Sequence, residues 1–551
     1  MESKKVAFFN KLSFLTFIST VFFSLLFFVP FVSINLVANK GFIVFIGITL
    51  SLFWWLIARL GEGKFYVPKD RLILFAGIIP FVFLISSFFS SSTHVSLLGN
   101  AFEIGTFGSM LVLFCVFFLS VIHFQTEKRL WSFFYVLFIG ATILSIFELV
   151  NILIGFDHFI PNFLRGINSG NLIGSWNDFA LFFGLIVVLC LFTIEFLKTK
   201  KLYSFIQYFL LITGMFFLII INMSLVWIFI SLFSIIIFVY SLSLQHAGVE
   251  IVHNGGGKKK FPFVTLVTIF ICFLLLIGNN SIGNLISKYV HLNNTDVRPS
   301  IITTSQIAFD ALKRNPVFGT GPNTFDMDWS LWQPKEIVQT MYWNVDFSSG
   351  FSLLATFLVT TGILGFLAFL FFIIILFIRG IQSLRIALRD TLSNYFIFTT
   401  LIIVLYSWVT FVIYNPNIIM LLLAFLSSGM LIGILVYKKV IPVQSFSFLN
   451  DPRNSFFTIF VLMILIIGTL SMTYIYIEKF VSIIYFSKSL NINSGTKESL
   501  IKAEKNITNA ISLNKNDIYF RMLSQVYVSQ IGIILQENLS GDILKSSLQS
   551  L

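Results

Sequence analysis

Runs of about twenty predominantly apolar residues recur along most of this 551-residue chain. A hydrocarbon core of about 30 Å takes roughly twenty such residues per helix. Inside lipid every backbone N–H and C=O must find its partner within the segment, which makes a helix the solution for runs of this length. The segments lie near 12–32, 41–60, 71–90, 106–124, 130–154, 173–197, 203–221, 223–243, 261–280, 349–378, 395–414, 416–437 and 455–476. The expected fold is therefore all-α, a polytopic transmembrane bundle of about 13 helices. Only 11% of residues are charged and 57% are hydrophobic, against roughly 25% charged in soluble domains. Such a chain has too little polar surface to cover a globule in water.

The loops set the orientation. Basic residues fall at Lys4, Lys5 and Lys11, at Arg59, Lys64, Lys69 and Arg71, and at Lys128 and Arg129. They continue at Lys198, Lys200 and Lys201, at 258–260, at Arg379, Arg385 and Arg389, and at Lys438, Lys439 and Arg453. These are every second connection, with Lys40 and Arg165 as exceptions, and the loop 91–105 carries no basic residue. The positive-inside bias then predicts a cytoplasmic N-terminus and an extracytoplasmic C-terminus. Lys4 and Lys5 precede an apolar run without a cleavage pattern, so the first helix is expected to be retained. The division is a transmembrane part, 1–480, with a large outer loop, 279–349, and a second outer piece, 482–551. The net charge of +12 is spread in short runs rather than clustered on one face with aromatics, so it points to membrane topology and not to nucleic acid.

Several chemistries find no support. Cys115, Cys190 and Cys272 all lie in apolar segments, with neither a disulfide framework nor ligand spacing. The six histidines contain no i, i+4 pair, which argues against zinc; of them His94, His158 and His291 fall on the outer side, where any is a candidate base. No phosphate loop or serine-triad signature is present. No metal and no cofactor are expected.

The outer side carries most of the candidate chemistry. Residues 300–314 place Ile301, Ile302, Ala308, Ala311 and Leu312 on a helical period, predicting an amphipathic helix against the membrane or the bundle. It ends at Asn315-Pro316, and a turn follows, Gly319-Thr320-Gly321-Pro322-Asn323-Thr324-Phe325. Such a turn is either plain structure or a set of N–H groups for an anion. Trp329, Trp332, Tyr342 and Trp343 suit the faces of sugars and equally the membrane interface. Glu148 and Asp178 sit at membrane depth, where ionisable groups are costly. With Arg165 and Arg298 they are expected on the outer side, as candidates to line one cavity; capped or snorkelling helix ends are the plainer alternative.

Two stretches together resemble a known family. Arg298-Pro299-Ser300, the helix to Lys313-Arg314-Asn315-Pro316, the glycine turn, and a helix carrying Gly362-Ile363-Leu364-Gly365 are similar to the signature region of the O-antigen ligase and polymerase superfamily. The string Gly174-Ser175-Trp176-Asn177-Asp178-Phe179-Ala180 resembles the start of a helix upstream in that family. The resemblance spans roughly 70–440 and is most specific over 298–365. It implies an inverting, metal-independent glycosyl transfer at the outer face of a bacterial cytoplasmic membrane. A glycan would leave its polyprenyl diphosphate carrier for a glycan, lipid or protein acceptor. Arg298 matches the loop arginine and takes the diphosphate role; Glu148, Asp178 or Asp346 as base, and Arg165, Arg314, Gly319, Gly321, Asn323 and Trp343 as substrate contacts, are candidates, the bases and Arg165 through their shared outer side alone. The chain departs from the pattern twice: Ser224-Leu225 stands where a Ser-Arg pair is usual, so Leu225 replaces the arginine, and Phe351-Ser352 stands where a His-Asn pair is usual. The alternatives are an inactive relative serving as a membrane scaffold, and a transporter or flippase, which inverted repeats and broken helices would favour.

Within 482–551, Ala503, Ala510, Ile511, Leu513, Asn516, Tyr519, Leu523 and Tyr527 resemble one tetratricopeptide helix pair, 497–512 and 517–536. Two ordinary amphipathic helices are the alternative. One repeat cannot bury its own face, so it is expected to dock on the outer loop or to begin an array.

Overall fold

The structure, a computed structural model, describes residues 4–30, 32, 34–154, 171–197, 199–246, 261–278, 297–340, 342–387, 391–490 and 496–536. Every expected apolar segment is a helix: α1 (Lys4–Leu26), α2 (Leu36–Glu62), α3 (Arg71–Phe88), α5 (Phe107–His123), α6 (Glu127–Ile154), α7 (Trp176–Phe196), α8 (Lys201–Ile221), α9 (Ser224–His246), α10 (Phe263–Ile277), α13 (Leu353–Ala387), α14 (Thr391–Ile413), α15 (Ile418–Tyr437) and α16 (Pro452–Leu490). Short helices α4 (Thr93–Leu98), α11 (Ile301–Arg314) and α12 (Phe325–Trp332) lie between them, and α17 (Lys497–Leu513) and α18 (Asp517–Gln536) follow. Among the described residues 12 helices are long and apolar enough to cross a membrane. That set includes Asp517–Leu535 of α18, and it leaves out α5 and α10, which are apolar but shorter, at 17 and 15 residues. The protein is an all-α, multi-pass helical bundle.

Contacts sort the connections into two ends. At the basic end, β1 (Lys64–Pro68) pairs antiparallel with β2 (Val443–Ser447), Lys64 opposite Ser447 and Pro68 opposite Val443. The sequence pattern held no sign of this small sheet. Arg379 of α13 reaches the buried Asp70 at 2.9 Å, and the Tyr437 hydroxyl donates to Glu127 at 3.0 Å. At the opposite end, Lys40 shows why a lysine interrupts the charge pattern. It is 1% exposed, and its Nζ donates to the Leu25 carbonyl at 2.8 Å, so it caps the C-terminus of α1 rather than facing a loop. Arg165 and Lys198 lie outside the described residues.

The most buried helix of the bundle is α15, covered along its whole apolar window, followed by α7 at 89%. Small residues let α15 approach its neighbour. A Cβ on Gly429 would collide with the Phe117 carbonyl of α5, and one on Gly433, a turn later, would stand 2.9 Å from the Phe124 carbonyl. This is close backbone packing of the GxxxG kind, where dispersion rather than the hydrophobic effect holds helices together.

The last helix differs from expectation: α16 runs on to Leu490 instead of ending near 476. Its 39 residues span roughly 58 Å. Among the described residues the C-terminal hairpin docks on this extension. Leu500, Ala503, Ile507 and Ala510 of α17 form a cluster with Tyr519 and Val526 of α18, and Tyr485 and Phe486 of α16 cover it. The Ser482 and Tyr519 hydroxyls meet at 3.2 Å within the joint.

Candidate functional site

The end opposite the basic loops holds two features built from the sequence motifs. The first is a backbone junction. Helix α13 is broken at Gly362, whose φ of 66° and ψ of −166° are not helical. A break frees carbonyls before it and N–H groups after it, and at membrane depth each must be paired. The glycine turn pairs them. Thr320 and Gly321 donate their N–H groups to the carbonyls of Val359 and Thr360, at 3.4 and 2.8 Å. Ile363 and Leu364 donate to Pro316 and Val317, at 3.0 and 3.2 Å. Gly319 and Gly362 each have φ +66°, and a Cβ on either would stand 2.5 Å from backbone of the other strand of the junction. Only glycine fits both conditions at once. The Ser86 hydroxyl at the end of α3 closes the junction by donating to the Phe318 carbonyl at 2.6 Å. Residues 363–387 alone span roughly 37 Å, enough to cross a 30 Å core, so the break falls toward one edge of the crossing.

The second feature is a cavity of about 240 Å³ next to this junction, with Thr356, Phe357 and Thr360 of α13 on one wall. Asp178, Asn323 and Phe325 line it, as do Glu103, Ser348 and Ser349 and the Asn415-Pro416-Asn417 link between α14 and α15. Asp178 belongs to the first turn of α7, where Ser175 is the N-cap. Its Oδ1 accepts the Asn417 N–H at 3.0 Å and its Oδ2 accepts the Ser175 hydroxyl at 2.7 Å. Asn417 in turn caps α15, accepting from Ile419 and Met420. One carboxylate therefore ties two helix N-termini together, a favourable place for negative charge. Glu103 is held similarly, by the N–H groups of Asn100 and Ala101 at 2.7 and 2.8 Å. The Asn415 Oδ1 is buried without a hydrogen-bond partner among the described residues.

The other sequence candidates are dispersed. Arg298 does not line the cavity. Its Nη1 donates to the carbonyls of Phe351 and Ile413, at 3.1 and 2.8 Å, and its guanidinium lies over the rings of Phe351 and Tyr414. It thus fastens the incoming loop to the start of α13 and the end of α14. Glu148 is fully buried in α6, where Asn151 donates to its Oε1 at 2.8 Å; it lies apart from the cavity lining. Asp346 and Trp343 are exposed, and Arg314 is exposed with its guanidinium over Trp332. Arg165, His158 and His291 lie outside the described residues. His94 borders a separate, smaller cavity beside α16. Among the described residues no group of three or more His, Cys, Asp or Glu is placed to hold a metal.

Amphipathic helix α11 is capped by Ser300, which accepts from Thr303. Ala308 and Ala311 bury against the bundle, whereas Ile301, Ile302 and Phe309 remain exposed at 59%, 69% and 63%. In α12, Asp328 is buried and accepts the Thr320 hydroxyl at 2.6 Å, which links the helix to the glycine turn. Burial pushes its carboxyl up to about 7, the Thr320 hydrogen bond opposes that, and the Asp326 charge adds to it.

Sequence reasoning missed Glu103 and the two asparagines around Pro416. The Asn-Pro-Asn string between two apolar runs is a turn signal, but nothing local to it shows that the turn borders a cavity. No protein-family model matches the chain, and no curated protein matches it.

Proposed function

We propose that this protein handles a polyprenyl-diphosphate-linked glycan at the outer face of a bacterial cytoplasmic membrane, transferring or polymerising it onto an acceptor. The observation that carries the reading is the junction. The two glycine motifs behind the O-antigen ligase resemblance lie some forty residues apart in the chain, yet they meet through four backbone hydrogen bonds beside a polar cavity. The basic loops at the other end support a cytoplasmic placement of that end and an outward-facing cavity. In this reading the cavity receives a sugar, and Glu103 or Asp178 takes the acceptor hydroxyl's proton. Arg298 works as a positioning residue, because carbonyls and rings already engage its guanidinium.

The break in α13 favours a second reading, since transporters build their sites at discontinuous helices. In such sites the freed backbone groups face the cargo. Here Val359, Thr360, Ile363 and Leu364 give theirs to the turn, so the transferase reading is preferred.

The test is transfer of a radiolabelled glycan from polyprenyl diphosphate by the full chain in lipid nanodiscs. Wild type is expected to transfer, and Glu103→Gln to lower the rate at least tenfold if Glu103 is the base. No transfer across several donors, together with glycan-dependent flux in sealed vesicles, would move the assignment to transport.

A further inference from the structure

We infer that Lys479 and Phe102 are positioning residues for Glu103: they hold the loop 99–105 so that the carboxylate stands in the cavity wall, which makes the part of α16 beyond residue 476 a working part of the site. For the chemistry that Glu103 performs this rests on the glycan-transfer reading. For its placement it rests on the packing around the loop.

The loop joins α4 to α5. Glu103 folds back over it, accepting the N–H groups of Asn100 and Ala101 through its two oxygens, so the carboxylate goes where the loop goes. The neighbouring Phe102 is 1% exposed and has φ 62°, an outlying conformation for a bulky side chain. Such backbone persists where its surroundings over-determine it. Here the surroundings are two helices. The Phe102 ring lies edge-on to Phe45 of α2, at 5.4 Å between centroids, and against Tyr476 and Phe480 of α16, at 6.0 and 6.3 Å. Phe42 of α2 stacks on Phe480 at 3.8 Å. A Cβ on Gly41 would stand 2.5 Å from the Phe102 Cβ, so α2 presses directly on the loop at that point.

Lys479 adds a charge to this packing. It is 7% exposed, and a buried ammonium is tolerated only with partners. Its Nζ donates to the carbonyls of Leu98 and Gly99, at 2.8 and 2.7 Å, where α4 gives way to the loop. It also lies 5.5 Å from the centre of the Phe102 ring and interacts electrostatically with the Glu103 carboxylate. One side chain of α16 thus engages the start of the loop, its strained phenylalanine and its acid. Three residues further on, the Ser482 hydroxyl meets that of Tyr519 in the C-terminal pair, and the Glu103 charge acts on Tyr519 as well. A base must stand within hydrogen-bond reach of the proton it takes, and a displacement of about 1 Å can cost on the order of a hundredfold in rate.

Carboxyl footprinting of the full chain in lipid nanodiscs, with a carbodiimide and glycine ethyl ester read by mass spectrometry, tests the placement. Lys479→Met is expected to raise the Glu103 labelling rate severalfold while exposed Asp451 at the basic end labels as in wild type. Lys479→Arg keeps the charge and the donors, and a cavity of about 70 Å³ beside Lys479 has room for the larger group, so Glu103 should label close to the wild-type rate. In the transfer assay, Lys479→Met should lower kcat about tenfold or more with the donor KM near its wild-type value, and Lys479→Arg should recover most of the loss. Should Lys479→Met fail to fold, Phe102→Gly, which suits the positive φ and removes the ring, is expected to move both measures in the same direction. Glu103 labelling that stays the same or falls, a rise in donor KM at unchanged kcat, or no recovery in folded Lys479→Arg would overturn the inference. Raised labelling without transfer by wild type would defeat the proposed reaction and leave the placement standing; wild-type transfer by Lys479→Met would do the reverse.

Discussion

Helices α15 and α16 have nearly the same mean hydropathy, 2.6 and 2.4, yet α15 is buried along its whole apolar window and α16 along 17% of its own. In water such sequences would both seek a core. In lipid the tails are as apolar as leucine, so hydropathy reports only the solvent and not the neighbours. What separates the two helices is their small and polar residues. Gly429 and Gly433 let α15 reach the backbone of α5, whereas Gly468 of α16 has nothing within 4 Å of an added Cβ. Position in the bundle is written in the exceptions to apolarity.

The comparison breaks most sharply with one substitution made in both helices. Gly429→Leu is expected to destabilise the protein by about 4 kcal/mol or more, since backbone must move. Gly468→Leu is expected to stay within about 0.5 kcal/mol. Unfolding followed by far-UV dichroism in mixed micelles measures both, and equal effects would end the distinction.

A smaller effect is expected at the broken helix. Gly362→Ala combines a positive φ with a backbone collision and should cost about 3 kcal/mol, while Gly365→Ala, where the close atom is the Thr361 side chain, should cost less. Reversal of that order in the same unfolding assay would count against the junction.

Outside the membrane, burial acts through charge. The carboxyl of Asp328, raised to about 7 from 3.8, keeps its proton longer in the folded than in the unfolded state. Its contribution is therefore fully present below about pH 4, and it is lost as pH rises toward 7. The change is of the order of 2 kcal/mol, about half of the full linkage value, because local relaxation and water near the carboxyl soften the cost of burying its charge. Asp328→Asn should flatten this part of the stability profile, and an unchanged slope would remove Asp328 as its source. A smaller loss than that of Asp328 is expected for Ser428→Ala, which removes the acceptor of the Trp408 indole N–H at 3.0 Å. It should cost about 0.6 kcal/mol, and a double-mutant cycle with Trp408 isolates it.

The segments themselves were legible because a twenty-residue apolar run has one structural solution in lipid. The caps were not singled out, although Ser175 and Ser300 stand where a hydroxyl meets orphan N–H groups. The glycine turn was read as either structure or anion site, and its reason emerged only when Gly319 met Gly362, a contact between distant segments that no local pattern encodes. For the same reason Glu103 escaped notice and Glu148 drew it, since depth in a helix can be counted while the cavity wall must be assembled. The extension of α16 was missed because Glu478 and Lys479 interrupt the apolar run where a crossing was expected to end, whereas the turns beyond them pack on the C-terminal pair through Tyr485 and Phe486.

The two-stranded sheet at the basic end has a consequence in time. Its strands, Lys64–Pro68 and Val443–Ser447, are separated by most of the chain. At a synthesis rate of roughly 5–20 residues per second, β1 waits tens of seconds for its partner, while every helix from α3 to α15 is laid down. Through that interval the strand is an open edge, and Lys64, Lys69 and Pro68 are the residue types that discourage a wrong strand from pairing with it. The clasp closes late, and its closing marks the moment when the bundle between the two strands is complete.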